Sequence, residues 1–507
     1  MRVQKSIKNV TTGLVGQVLT LVLSFVVRTV FIQQLGVTYL GVSGLFGNIL
    51  SILSFAELGF GQAIVFSLYK PIANNNVEKI KSLMYIFRTV YIWMFAVVMV
   101  LGLSLTPFLD FFVDDINAVP NLRLIYVMYV ISSASTYLFA YKNTYLIATQ
   151  NSYVSTIIGY FFSISLAVFQ ILVLVFTQNF IIYLGLQVTS GILQNVVVAW
   201  RTNCKYPFLK EKNIKPLSIE EKSQIKKNVK ALAIYKIGTL SLNSTDNIIM
   251  SKFVGLLSVG LYSNYYLLQY TVNGLLSTVF GNLTASIGNY NATESDENKY
   301  KMFKVLNLMS YWAYSVCSVC LFICMSPFIK CWIGDSYLMG YDVCFIIAFN
   351  MYIAGMLFAS FNYRQTMGLF TQGKARPIIS AIENIIVSII LVKYLGVAGV
   401  LWGTAITRLT TNGWYDPYIV FKKGLKLSPW IYFKDYLIKF IVLILGGGVV
   451  FYLCNMIPYI GFPSVLIQAF ISFIGINIIL IVSFYRTEEF AYLLTIIKNI
   501  KSISKNK

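Results

Sequence analysis

Apolar runs long enough to cross a bilayer recur from end to end of this 507-residue chain, and no other feature restricts its fold as much. A hydrocarbon core takes about 20 helical residues, and inside it every backbone polar group must be satisfied within the protein. Only helices and closed barrels meet that demand. Barrel strands would alternate over about 10 residues, whereas these runs are continuously apolar, so an all-α polytopic membrane protein is expected. Fourteen spans follow: Val10–Gln34, Leu40–Tyr69, Met84–Leu105, Leu122–Ile147, Val154–Phe176, Phe180–Trp200, Val229–Lys252, Val259–Ser286, Met302–Met325, Tyr341–Met367, Pro377–Tyr394, Val397–Phe421, Phe433–Tyr452 and Pro463–Tyr485.

Charge orients these spans. The net charge of +21 would point to nucleic acid in a soluble protein, but only 12% of residues are charged and they gather in alternate loops. One set holds Lys70, Lys79, Lys81, the run from Arg201 through Lys230, and Lys299, Lys301 and Lys304. It continues with Lys374, Arg376, Lys422, Lys423, Lys426 and the C-terminal lysines. The opposite set is short and holds Asp110, Asp114, Asp115, Asp335 and Asp342. Cytoplasmic loops collect Lys and Arg, so both termini are expected in the cytoplasm and no nucleic-acid partner is implied. The basic start (Arg2, Lys5, Lys8) leads into a run too long for a signal peptide, and reads as the first membrane helix. Seven cysteines without a histidine do not make a metal site. Cys317, Cys320 and Cys324 share a helical face as small packing residues. The loop from Arg201 to Lys226 reads as a solvated linker near anionic headgroups. Phe490, Leu493, Leu494, Ile497 and Ile500 keep helical spacing among lysines, the pattern of a surface-lying helix.

The chain also matches itself. Lys8-Asn9-Val10 falls on Lys227-Asn228-Val229 without a gap, Gly36 on Gly255 and Gly41 on Gly260. Farther on, Tyr141-Lys142-Asn143-Thr144 corresponds to Tyr363-Arg364-Gln365-Thr366, and Tyr183-Leu184-Gly185 to Tyr394-Leu395-Gly396. Residues 1–200 thus form one six-helix half, 201–228 a basic cytoplasmic linker and 229–424 the second half. Residues 425–507 add two helices and a basic tail. Six is even, so both halves enter the membrane from the same side, related by an axis along its normal.

A charge at mid-span costs about 2.5–3.5 kcal/mol on insertion scales and therefore faces a cavity or a partner. Gln17, Thr20, Ser24 and Arg28 form one stripe at 100° per residue, and Lys236, Thr239, Asn243 and Asn247 form another at corresponding repeat positions. A shared polar cavity accounts for two such stripes, with helix packing through buried hydrogen bonds as the rival. Snorkelling to headgroups is the other reading of Arg28 and Lys236. Glu57 and Asp246 are candidates for taking up H+ or Na+. Glu383 and Arg408 are a candidate intramembrane pair, and Asp416, before Pro417, is expected at the interface.

Short motifs carry a family resemblance over nearly the whole chain. They are Tyr39-Leu40-Gly41, Ala56-Glu57-Leu58-Gly59-Phe60-Gly61, Thr245-Asp246-Asn247 with Val259-Gly260-Leu261-Tyr262, and Pro327 with Trp332-Ile333-Gly334. With these the chain resembles the Wzx-type oligosaccharide flippases of the multidrug/oligosaccharidyl-lipid/polysaccharide (MOP) exporter superfamily. The resemblance implies two six-helix lobes in a V around a central cavity in the bacterial plasma membrane. It implies transfer of an undecaprenyl-pyrophosphate-linked oligosaccharide from the inner to the outer leaflet, for capsule- or O-antigen-type polysaccharide biosynthesis. The partners are then this substrate, membrane lipids, a coupling H+ or Na+ and contacts with polysaccharide assembly proteins, with no cofactor. This chain holds fewer central arginines than the cationic cavities of that family. A cation-coupled multidrug antiporter of the same fold is the alternative. A membrane polymerase or glycosyltransferase is disfavoured, because the outer loops are short and no catalytic set converges, so the chain is read as a non-enzyme.

Overall fold

The computed structural model describes residues 2–53, 74–113, 119–149, 151–211, 245–281, 294–369 and 376–495, with isolated positions among 67–72, 214–223 and 283–291. It gives no side-chain placement for residues 2–18. Helices dominate throughout, and the described residues contain no strand. Nine of these helices are long and apolar enough to cross a membrane, or ten if a bent N-terminal pair counts as one span. Side chains such as Ile386, Leu445, Phe470 and Val482 are exposed on them, which suits lipid rather than water. The chain is an all-α polytopic membrane protein.

The chain divides into two compact units, Met1–Gly260 and Leu261–Lys507. In the first unit, α1 (Arg2–Leu35) meets α2 (Val37–Leu53) across Gly36 at 120°. Then come α3 (Val77–Ser104), α4 (Leu122–Ser135), α5 (Ala140–Ala148), α6 (Ser152–Thr177) and α7 (Phe180–Lys205). The interruption between α4 and α5 has a local cause. Ser135 and Thr136 turn their hydroxyls onto the carbonyls of Ser132 and Ser133, at 2.8 and 2.7 Å, and such back-bonding loosens a helix. The unit closes with α8 (Asp246–Phe253) and the start of α9 (Leu256–Gly281).

The second unit holds the rest of α9 and α10 (Asp296–Ile333), started by Ser295 accepting from the Asn298 N–H and by Asp296 and Glu297 in the first turn. It continues with α11 (Tyr341–Thr366), α12 (Arg376–Thr407), α13 (Trp414–Ile419), α14 (Trp430–Asn455) and α15 (Phe462–Phe484). α12 is broken at Gly396, with φ 54° and ψ −132°, a conformation open to glycine alone. This break separates the eleventh and twelfth expected spans. π-helical turns cover Arg408–Gly413 and Val420–Leu425 around Pro417. In the last pair, Gly446 packs on Ile479 and Gly475 on Val450, the close approach that small residues permit inside a membrane.

Two expectations need correction. Tyr183-Leu184-Gly185 and Tyr394-Leu395-Gly396 are not structural equivalents. Gly396 makes the turn in its half, whereas the corresponding turn in the first half lies at Gln178 (φ 49°) and Asn179, with Gly185 inside α7. The linker is also less solvated at its start than its charge implies. α7 runs on to Lys205, and Pro207–Lys210 forms a 3-10 turn that folds back on the bundle. Tyr145 meets Tyr206 edge-on at 5.0 Å and Phe208 at 6.3 Å, and the Asn151 amide donates to the Tyr206 hydroxyl at 2.8 Å.

Candidate functional site

Repeat-related glycines build a seam inside the first unit. Gly36 and Gly255 both take positive φ, 82° and 102°, so each turns one helix into the next at the same repeat position. Five residues on, Gly41 lies against the Leu256 carbonyl, where an added Cβ would stand 2.1 Å from the oxygen. Gly260 lies against the Val37 carbonyl, where it would stand 2.2 Å away. Val37 and Leu256 occupy matching places after Gly36 and Gly255. The contact is therefore two-fold symmetric: each repeat offers a glycine and receives a carbonyl. Only hydrogen at Cα allows backbones this close.

Asn247 sits beside this seam. Its amide nitrogen is 3.4 Å from where a Gly44 Cβ would stand, and its Oδ1 is buried with no hydrogen-bond partner. Nearby, the Ser251 hydroxyl donates to the Phe112 carbonyl at 2.8 Å. Asp246 lies in the first turn of α8.

On α1, Thr20, Ser24, Arg28 and Phe31 share one face. Phe31 is buried against Phe180 and Tyr183, at 5.7 and 5.2 Å, while Leu19, Val22 and Val26 are exposed on the opposite face. The Arg28 guanidinium is in electrostatic reach of the Tyr183 hydroxyl, which in turn neighbours Tyr129. These polar neighbours of Arg28 all belong to the first unit. The Ser24 hydroxyl is spent on its own helix, donating to the Leu21 carbonyl at 2.7 Å. The Gln17 side chain, Glu57, Lys236, Thr239 and Asn243 lie outside the described residues.

The expected Glu383–Arg408 pair is not made. Arg408 donates to the carbonyl and side-chain oxygens of Asn350 at 3.0 and 3.3 Å, and Glu383 accepts from the Thr410 hydroxyl. The π turn beginning at Arg408 widens the helix and carries Thr410, rather than the guanidinium, to the carboxylate.

Asp416 is buried within the second unit. It is 2% exposed, and its Oδ1 accepts from Arg364 at 2.9 Å and from Arg376. The Tyr415 ring lies 6.0 and 5.7 Å from the two guanidinium carbons, and Arg364 Nε also donates to the Leu369 carbonyl at 3.2 Å. This buried triad was visible in sequence only as the cation of the Tyr-Arg-Gln-Thr repeat motif. Its first-half counterpart, Lys142, is also buried and donates to Asn203 of α7.

No family model matches the chain, and no curated protein matches it. Among solved structures it is similar to a lipid II flippase, MurJ, in an inward closed conformation (14% identity, TM-score 0.64, 95% of this chain and 99% of that one). It is also similar to an inward-facing multidrug resistance MATE transporter of the MOP superfamily (13% identity, TM-score 0.61, 78% and 93%). A third similar structure is a Vibrio cholerae MATE transporter, VcmN (13% identity, TM-score 0.54, 83% and 97%). The fold is the one these transporters share.

Proposed function

We propose that the chain is a transporter that moves an undecaprenyl-pyrophosphate-linked oligosaccharide from the inner to the outer leaflet of a bacterial plasma membrane by alternating access. Residues 1–200 and 229–424 are the halves that alternate, joined by 201–228, with 425–507 appended. The observation that carries this reading is the extent of the likeness. The match to the lipid flippase spans 95% of this chain, against 78% for the multidrug transporter. That difference is about the length of the two C-terminal helices with their tail. A cation-coupled multidrug antiporter is the second reading, favoured by the two MATE likenesses, with Asp246 or Glu57 taking up H+ or Na+.

Arg28 is the residue on which the anionic substrate bears most directly. A guanidinium holds phosphate oxygens in a two-pronged fork that an ammonium does not reproduce. In reconstituted vesicles, Arg28→Ala stops movement of the lipid-linked sugar and Arg28→Lys restores only part of it. Wild-type transport in Arg28→Ala, with normal protein levels, removes Arg28 from the substrate path.

A further inference from the structure

The inner half of α9 is open on two opposite sides, and the sides differ in chemistry. The helix has 26 residues and no charged side chain, and at about 1.5 Å per residue it is longer than a hydrocarbon core is thick. It is nevertheless too polar to stand among the nine apolar helices. At 100° per residue, Tyr266, Tyr270, Asn273 and Ser277 share one narrow face. All four are exposed, the two rings to 47% and 63%. Leu275 and Val279, 50% and 59% exposed, lie on the opposite face, which suits acyl chains. The polar face begins near the middle of the helix, where tyrosine and asparagine side chains turned to hydrocarbon are costly. The rotation of the helix is fixed by its buried side chains. The Tyr265 hydroxyl accepts from the Met339 N–H at 2.8 Å, and Phe280 packs on Tyr314 and Phe358 at 5.8 and 5.0 Å. Along the polar edge, the Tyr266 ring lies 5.9 Å from that of Tyr262 and 6.0 Å from that of Tyr270.

We infer that Tyr266, Tyr270 and Asn273 form a saccharide-binding strip along a water-filled passage. A sugar ring has an apolar C–H face and a rim of hydroxyls. A tyrosine matches both, with an apolar ring face and a polar tip, and the asparagine amide both donates and accepts. The strip is uncharged, so it suits the neutral sugar units and not the pyrophosphate. Two rings in succession seat more than one sugar unit. The sugar assignment rests on the flippase reading, whereas the passage does not.

The test has two arms, both on the full-length protein in vesicles. In the first, Tyr270→Cys and Asn273→Cys react with a charged, water-soluble methanethiosulfonate reagent above the level of the parent chain, and Leu275→Cys and Val279→Cys do not. Equal reactivity on the two faces, or none at positions 270 and 273, overturns the passage. The second arm follows a fluorescent undecaprenyl-pyrophosphate carrier bearing either an oligosaccharide or a single sugar. Tyr266→Leu with Tyr270→Leu slows the oligosaccharide about tenfold and the single sugar less, at normal protein levels. Tyr266→Phe with Tyr270→Phe, which keeps the rings, regains most of the rate. Equal slowing of both carriers, or no slowing of either, overturns the strip. Wild-type protein that moves neither carrier defeats the flippase reading and the sugar assignment with it, while the labelling still decides the passage.

Discussion

Replacing Gly41 by alanine will force the seam between α2 and α9 apart and slow transport roughly tenfold or more. The new methyl would stand 2.1 Å from the Leu256 carbonyl oxygen and 2.9 Å from its carbon. Both obstacles are backbone, so no side-chain rotation relieves them, and overpacking of this kind costs about 1–3 kcal/mol. Gly260→Ala should act alike through the Val37 carbonyl, 2.2 Å away. Gly47 is the control: nothing lies within 4 Å of its would-be Cβ, and alanine there gains up to about 1 kcal/mol of helix propensity. The readout is maleimide labelling of a cysteine placed at Val259, which is fully buried. That cysteine should be protected in the otherwise native chain and reactive beside Gly41→Ala. Continued protection and a native transport rate in Gly41→Ala would show that the seam does not bear on function.

Asp416→Asn carries the largest expected loss of stability. It leaves Arg364 and Arg376, 10% and 12% exposed, with an amide in place of their shared carboxylate. Breaking a buried pair by removing one partner costs about 3–5 kcal/mol. The unfolding midpoint in detergent should fall accordingly. Adding Arg364→Gln to Asp416→Asn should recover part of the loss, since one of the two buried cations facing the amide is then gone. Additive losses in the double variant would mean that the three side chains do not act as a unit.

The spans found among the described residues were legible because a bilayer imposes length, and the corners at Gly36 and Gly255 because a left-handed turn demands glycine. What stayed hidden depends on partners distant in sequence. The burial of Asp416 and its ion pairs were hidden because its guanidiniums stand 52 and 40 residues away. The Glu383–Arg408 expectation failed because two charges at mid-span do not fix each other's partner: Asn350 of α11 takes the guanidinium and Thr410 the carboxylate. The matching tripeptides at Gly185 and Gly396 misled because residue identity alone does not reveal which glycine makes a turn. The docked start of the linker was masked by its charge, since Tyr206 and Phe208 stand among lysines yet hold the segment to α5.

Transport of a lipid-linked saccharide can be followed directly in vesicles containing only this protein. A fluorescent undecaprenyl-pyrophosphate-linked oligosaccharide placed in one leaflet is followed in parallel with a lipophilic cationic dye under an imposed H+ or Na+ gradient. Protein-dependent movement of the saccharide between leaflets is expected, lost in Arg28→Ala, with no protein-dependent movement of the dye. Gradient-driven dye export with the saccharide left in its original leaflet would contradict it and establish the multidrug reading instead.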